Sequence, residues 1–231
     1  MFGLDEWISG VSDEGSIAVV VLVATLLGLR HAADPDHLAA VSTLVVSGRE
    51  RATRAAARLG AAWGLGHAVT LVAFGVPILL AERYLPDLVQ RGAETTVAVL
   101  IAFLALRLIV RWRHGAFAAN SGDHDEHRHP VRTPAGAFGI GLVHGMGGSA
   151  GVGVLLLAAV PSRTLALVAL VVLAFCTAVS MTVVTTGFGA ILSVRRVAGA
   201  LTTTAPVLGL SSLAFGLWYA AAAWSLAPYP F

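Results

Sequence analysis

Lysine is missing from this sequence altogether, and cysteine occurs once, at Cys176. A single thiol forms no internal disulfide, so no oxidised framework holds the fold together. Charge of either sign is sparse: Asp, Glu, Lys and Arg make up 12% of the 231 residues, against about 25% in a soluble domain. Hydrophobic residues reach 57%, and mean hydropathy is +0.81. These shortages exclude a nucleic-acid binder, a disordered tail and a small secreted scaffold; they leave an integral membrane protein. The stretch before Ile17 holds Asp5, Glu6, Asp13 and Glu14 but no arginine. A signal peptide opens on a positive segment, so the first apolar run is expected to be retained. There is no Walker-type Gly-Lys-Ser/Thr motif, so any ATPase would be a separate chain.

What is present is a series of long apolar tracts. A crossing helix needs about 20 mostly apolar residues, and six segments read as spans, at about 16–46, 59–80, 95–110, 135–160, 164–192 and 205–224. Barrel strands would be shorter and would alternate polar with apolar positions. The expected fold is therefore an all-α polytopic bundle, with residues 1–231 forming a single membrane domain. Arginine placement sets its orientation. Arg49, Arg51, Arg54 and Arg58 follow the first span, Arg111, Arg113, Arg128 and Arg132 flank the third loop, and Arg195 and Arg196 lie in the fifth; the alternate loops hold only Arg83, Arg91 and Arg163. The first group is expected to be cytoplasmic, with both termini outside.

An internal echo supports the span count. Gly28-Leu29-Arg30-His31 recurs as Gly141-Leu142-Val143-His144, an offset of 113 residues that also carries His67 onto Ser180. Two three-span halves must then lie in opposite orientations, the pattern of inverted-repeat transporters, whose sites lie near the midplane where the repeats meet.

The most informative stretch interrupts the first span. His31-Ala32-Ala33-Asp34-Pro35-Asp36-His37 places two imidazoles and two carboxylates among residues apolar enough for hydrocarbon. Two Asp and Arg30 at a helix centre would cost about 8–10 kcal/mol on insertion scales, unless pairing, water or a bound cation offsets it. Pro35 lacks an N–H and disfavours helical geometry at Asp34, while Asp34-Pro35 also reads as an N-cap followed by proline at the first helical position. The spacing thus predicts two half-helices meeting at the motif. In a continuous helix His37 would point away from His31 and Asp34; a break removes that constraint. Imidazole with carboxylate suits Ni²⁺, Co²⁺, Zn²⁺ or Cu²⁺ better than Ca²⁺ or Mg²⁺, which take all-oxygen shells. The bland reading, a capped break with Arg30 paired to Asp34, leaves Asp36, His31 and His37 unexplained.

Here a family resemblance enters. Leu29 to His37 resembles the signature of the nickel/cobalt transporter (NiCoT) family, a His, four residues, then Asp-His, with Asp34 matching the usual second Asp. Leu65-Gly66-His67 resembles that family's next motif. The run from Gly141 to Ser149, which contains His144, is similar to the shorter six-span branch that includes urease-accessory-type permeases. Longer members carry eight spans and acidic or Asn residues in a later motif, where this chain has glycines and His144. The resemblance implies permeation of a transition metal, most often uptake of Ni²⁺ or Co²⁺.

His67 and His144 each follow Gly-Leu-x, as His31 does, inside an apolar span, and they are assigned as candidate ligands or relay groups on the same path. The many glycines of span four suit close helix packing, or a second break at Gly147-Gly148-Ser149. Met146 and Cys176 read as packing, the hydroxyls of span five as helix–helix contacts, and Arg107 as a residue whose head reaches the interface. Asp123 to His129, within the cytoplasmic loop 113–134, is a His-rich acidic tract that binds metal loosely or is simply solvated.

The expected function is transport of a divalent transition metal, Ni²⁺ or Co²⁺ uptake, across a bacterial cytoplasmic membrane. The metal ligands are His31, Asp34, Asp36, His37, His67 and His144, with the metal as cargo and no resident cofactor. The alternatives are efflux through the same site, or a membrane-embedded zinc metallohydrolase. The expected partners are the metal ion and the bilayer, and the sequence names no protein partner.

Overall fold

A computed structural model describes residues 4–46, 53–81, 86–115, 133–145, 147, 154, 157, 160 and 162–228. All regular structure among them is helical: α1 Leu4–His31, α2 Pro35–Val46, α3 Thr53–Ala81, α4 Asp87–Arg113, α5 Pro134–His144, α6 Arg163–Ser193 and α7 Arg195–Ala223. Among the described residues, four stretches are long and apolar enough to cross a membrane: Thr53–Leu80, Asp87–Arg113, Arg163–Ile191 and Thr203–Ala223. Their outward faces carry Val99, Phe103, Phe175, Val183, Val207 and Leu217, all more than half exposed. Water does not tolerate so continuous an apolar surface, whereas lipid does. This is an all-helical, polytopic membrane architecture.

The remaining two predicted spans differ in kind. The first is two pieces, the apolar helix Ile17–His31 and the 12-residue α2. The fourth starts as the 11-residue α5, which stops at His144, so no continuous helix runs over 135–160. Two further boundaries move. α4 begins at Asp87, not near Thr95, and α7 at Arg195, not near Ala205. In both, charged residues that read as loop are helical, because a helix end accommodates charge at the level of the headgroups. The His-rich tract Asp123–His129 lies outside the described residues, as do Met146, Gly148 and Ser149.

Local signals place the ends. Thr133 caps α5 by accepting the Gly136 N–H at 3.0 Å, with Pro134 next to it; Ser162 caps α6 by accepting from Leu165 N at 3.3 Å. α3 and α6 form the central pair, with α1 packed on α6 and α5 on α3. α4 and α7 form a second pair, and α2 bridges it to the centre. One apolar cluster joins α1, α3 and α6 through Ala24, Leu71, Ala169 and Leu170. A second joins α2, α3, α4, α5 and α6 through Val41, Trp63, Leu104, Ile140 and Met181. The polar groups lie between these clusters.

Candidate metal centre

α1 ends where the chain turns: Ala33 N–H donates to the Arg30 carbonyl at 2.9 Å and Asp34 N–H to the His31 carbonyl at 3.1 Å. α2 restarts at Pro35, and its first backbone bond, Leu38 N–H to the Asp34 carbonyl at 3.0 Å, sets Asp34 at the N-cap position. Pro35 there has no N–H to leave unsatisfied. The break falls where the Asp-Pro pair directs it. It turns His31 at the end of one half-helix and Asp36 and His37 at the start of the next into a common volume.

Two other helices complete that volume. His67 comes from the middle of α3, and His144 is the last residue of α5. Their approach depends on glycine. A Cβ on Gly141 would run into the Trp63 carbonyl and lie 2.9 Å from His67 N, and one on Gly66 would run into the Phe138 carbonyl. Hydrogen at these positions lets α3 and α5 touch backbone to backbone, which brings His67 and His144 onto the α1–α2 break.

All six predicted ligand residues are buried, with Asp36, His67 and His144 at 0% exposure. His31 Nε2 and His67 Nε2 are 2.9 Å apart. His37 Nδ1 lies 3.1 Å from Asp36 Oδ1, and His144 Nε2 lies 3.2 Å from Asp36 Oδ2. The His37 ring is central: its centroid is 4.4 Å from those of His31 and His144 and 5.1 Å from that of His67. Among the described residues, two groups have donor atoms mutually within 4.8 Å, His31/His37/His67 and Asp36/His37/His144, and His37 belongs to both. His37 Nε2, His67 Nδ1 and His144 Nδ1 are buried with no hydrogen-bond partner among the described residues. Buried nitrogens of this kind are costly as packing and useful as ligands.

Asp34 stands apart from both triads. Its carboxylate lies 3.3 Å from His31 Nδ1 and 3.4 Å from Arg30, whose side chain is two-thirds exposed. A carboxylate on one ring nitrogen fixes the ring and leaves the other nitrogen for a ligand or a partner. The Arg30–Asp34 pair foreseen as a bland explanation is therefore present, and it leaves the four imidazoles and Asp36 to be explained separately.

Three residues in or beside the site escaped the sequence reading. Trp63 is buried, with its ring 5.7 Å from both His37 and His144, an apolar wall that keeps the imidazoles dry. Thr70 Oγ1 donates to the Leu142 carbonyl at 2.9 Å, two residues before His144. Glu94, on α4, is 4% exposed; a span drawn from Thr95 leaves it in the loop, but its i,i+4 spacing from Gln90 signals a longer helix. Cys176 packs against α1, where a Cβ on Gly28 would meet its own at 2.7 Å.

Comparison with known proteins adds the following. The NicO family, described as high-affinity nickel-transport protein, matches residues 17–134, which include the α1–α2 break and His67 and end before His144. The chain is 29% identical over 143 residues to the urease accessory protein UreH of Bacillus sp. (strain TB-90), an alignment covering 60% of this chain and 62% of that relative. The match thus spans just under two thirds of the relative's length. No solved structure matches.

Proposed function

The chain belongs to the NicO family, and from that premise we propose that it carries Ni²⁺ or Co²⁺ into the bacterial cell across the cytoplasmic membrane. The observation that carries this reading is the pair of buried triads sharing His37. His31, Asp36, His37, His67 and His144 hold the dehydrated ion, and Asp34 orients His31 as a ligand. Mixed imidazole and carboxylate donors bind late first-row divalent ions in preference to Mg²⁺ or Ca²⁺. One carboxylate inside the cluster offsets part of the ion's charge without closing an all-protein cage. Ligands drawn from four separate helices, three of which contribute at an end, suit release better than permanent retention. That argues for a carrier over a zinc hydrolase, which would keep its metal.

The wider architecture in this proposal is six spans in two inverted halves. Three features at the 113-residue offset support it. α1 and α5 both end on their histidine. Gly28 presses on Cys176 and Gly141 on Trp63, and these four positions correspond pairwise. The corresponding carbonyls of Leu29 and Leu142 each accept from a hydroxyl of another helix, Ser180 Oγ at 2.6 Å and Thr70 Oγ1 at 2.9 Å, although those two donors are not themselves at the offset. Rocking one half against the other would open the cluster to each side in turn.

The test is flux in proteoliposomes containing the purified protein, followed for Ni²⁺, Co²⁺, Zn²⁺ and Mn²⁺ under fixed pH gradients. Ni²⁺ and Co²⁺ should cross faster than Mn²⁺, and His37→Ala and Asp36→Asn should abolish flux while the protein still inserts and stays monodisperse. Unchanged flux in both variants would overturn the site.

A further inference from the structure

Glu94 is a buried acid in a membrane-spanning helix, and it is a member of neither triad. Intramembrane carboxylates are costly enough to be read as functional first, with their partners named. Its carboxylate accepts a hydrogen bond from Gln90 Nε2 at 3.1 Å. Two independent constraints locate it.

The first is helix packing. α2 lies against α4, and Ala39 of α2 packs against the cluster of Val97, Ala98, Ile101 and Tyr219, so the helix that opens on Asp36 and His37 neighbours the helix that holds Glu94. The second constraint is the chain leaving α5. A Cβ on Gly147, three residues past His144, would lie 3.2 Å from both Cα and N of Glu94. Glu94 thus borders the segment that carries His144, on the side of the bundle where α3 ends and α4 begins. The arginine distribution makes that side extracytoplasmic.

Resting on the reading of the histidine cluster as the substrate site, we propose that Glu94 is the outer station of the metal path, holding the incoming divalent cation before the Asp36/His37/His144 triad takes it. The donor chemistry suits this order. A carboxylate beside an amide binds a cation that still carries water, chiefly by charge. The imidazoles of the triad are the better ligands for Ni²⁺ and Co²⁺ once that water is lost. Passage from oxygen to nitrogen donors then runs downhill into the cluster, and removing the carboxylate slows loading without dismantling the cluster.

The experiment compares Glu94→Gln and Glu94→Asp with the wild type, using Ni²⁺ alone. It measures flux kinetics in proteoliposomes and equilibrium binding and melting in detergent. Gln keeps an oxygen for the Gln90 amide and removes the charge. The expected result for Glu94→Gln is a KM for Ni²⁺ raised about tenfold or more, with equilibrium affinity changed by less than about threefold, and Glu94→Asp close to wild type. A wild-type KM in Glu94→Gln overturns the proposal. So does a lowered melting temperature shared by Gln and Asp with KM unmoved, the signature of a packing role. A His37→Ala protein that still binds and moves Ni²⁺ removes the cluster reading instead, and the Glu94 station with it.

Discussion

α1 and α5 both stop on a histidine inside the bundle, but the two stops are made from different materials. After His31 the chain runs Ala-Ala-Asp-Pro-Asp-His, and the turn is specified by an N-cap and a proline. After His144 it runs Gly-Met-Gly-Gly-Ser, and α5 is followed by Gly145 as its C-cap with no charged residue in reach along the chain. The first break thus supplies two carboxylates and two imidazoles. The second supplies one imidazole and an unusually close backbone approach to α3. The difference teaches a division of labour: the amino-terminal half carries most of the binding chemistry, and the carboxy-terminal half carries the packing that closes it.

That division is sharpest in the two triads. His31/His37/His67 comes entirely from the amino-terminal half and is all imidazole. Asp36/His37/His144 needs the other half for its third donor. If they are separate positions of one ion, His67→Ala leaves Ni²⁺ with two imidazoles and a carboxylate, and His144→Ala leaves it with three imidazoles. Each should lose about 10–100-fold in affinity, and His37→Ala, which damages both, should lose more. X-ray absorption on the Ni²⁺-loaded variants counts the imidazoles. Three in both variants would mean a single shared site and dissolve the distinction.

Much of this was legible in the amino-acid sequence, for reasons that are local. The break at Asp34-Pro35 follows from the missing N–H of Pro35 and the cost of Asp in hydrocarbon, and neither needs a partner to be visible. His67 and His144 were found through the echo of the Gly-Leu-x-His pattern. Other features depend on contacts across the bundle. The centrality of His37 arises because Gly66 and Gly141 let α3 and α5 meet over it, and no spacing along the chain encodes that distance. Glu94 was lost to a boundary: with Asp87, Arg91 and Glu94 close together, the first two turns of α4 look like a loop until Glu94 is seen buried against Gly147.

A smaller effect tests whether the two stops share one plan. Gly28 and Gly141 correspond, and a Cβ on Gly28 would sit 2.7 Å from the Leu173 carbonyl. Overpacking of this sort costs about 1–3 kcal/mol, so Gly28→Ala and Gly141→Ala should both lower the melting temperature in detergent by similar amounts. Their effects on Ni²⁺ binding should differ. Gly141→Ala separates His144 from His67 and so weakens binding, whereas Gly28 presses α1 onto α6, which contributes no donor to either triad. Equal losses of affinity would mean that the carboxy-terminal half does more than pack.

The weakest comparison concerns two hydroxyls. Ser180 Oγ donates to the Leu29 carbonyl at 2.6 Å and Thr70 Oγ1 to that of Leu142 at 2.9 Å, each two residues before the terminal histidine. A carbonyl near a helix end lacks an i+4 N–H partner, and here a hydroxyl from the neighbouring span supplies the bond. Interhelical hydrogen bonds in membranes are worth about 0.6 kcal/mol on average, so Ser180→Ala and Thr70→Val should each cost little stability. Their effect on transport should still be measurable, because the carbonyls they hold belong to the last turns before His31 and His144. If those turns move when the site opens, removing a bond present in only one of the two states shifts the balance between them by that bond's energy, about 0.6 kcal/mol or a factor of roughly three. Single-turnover flux in the two variants should then change by a similar factor while equilibrium Ni²⁺ affinity changes less. If both quantities stay fixed, the half-helix ends are rigid and the motion lies elsewhere in the bundle.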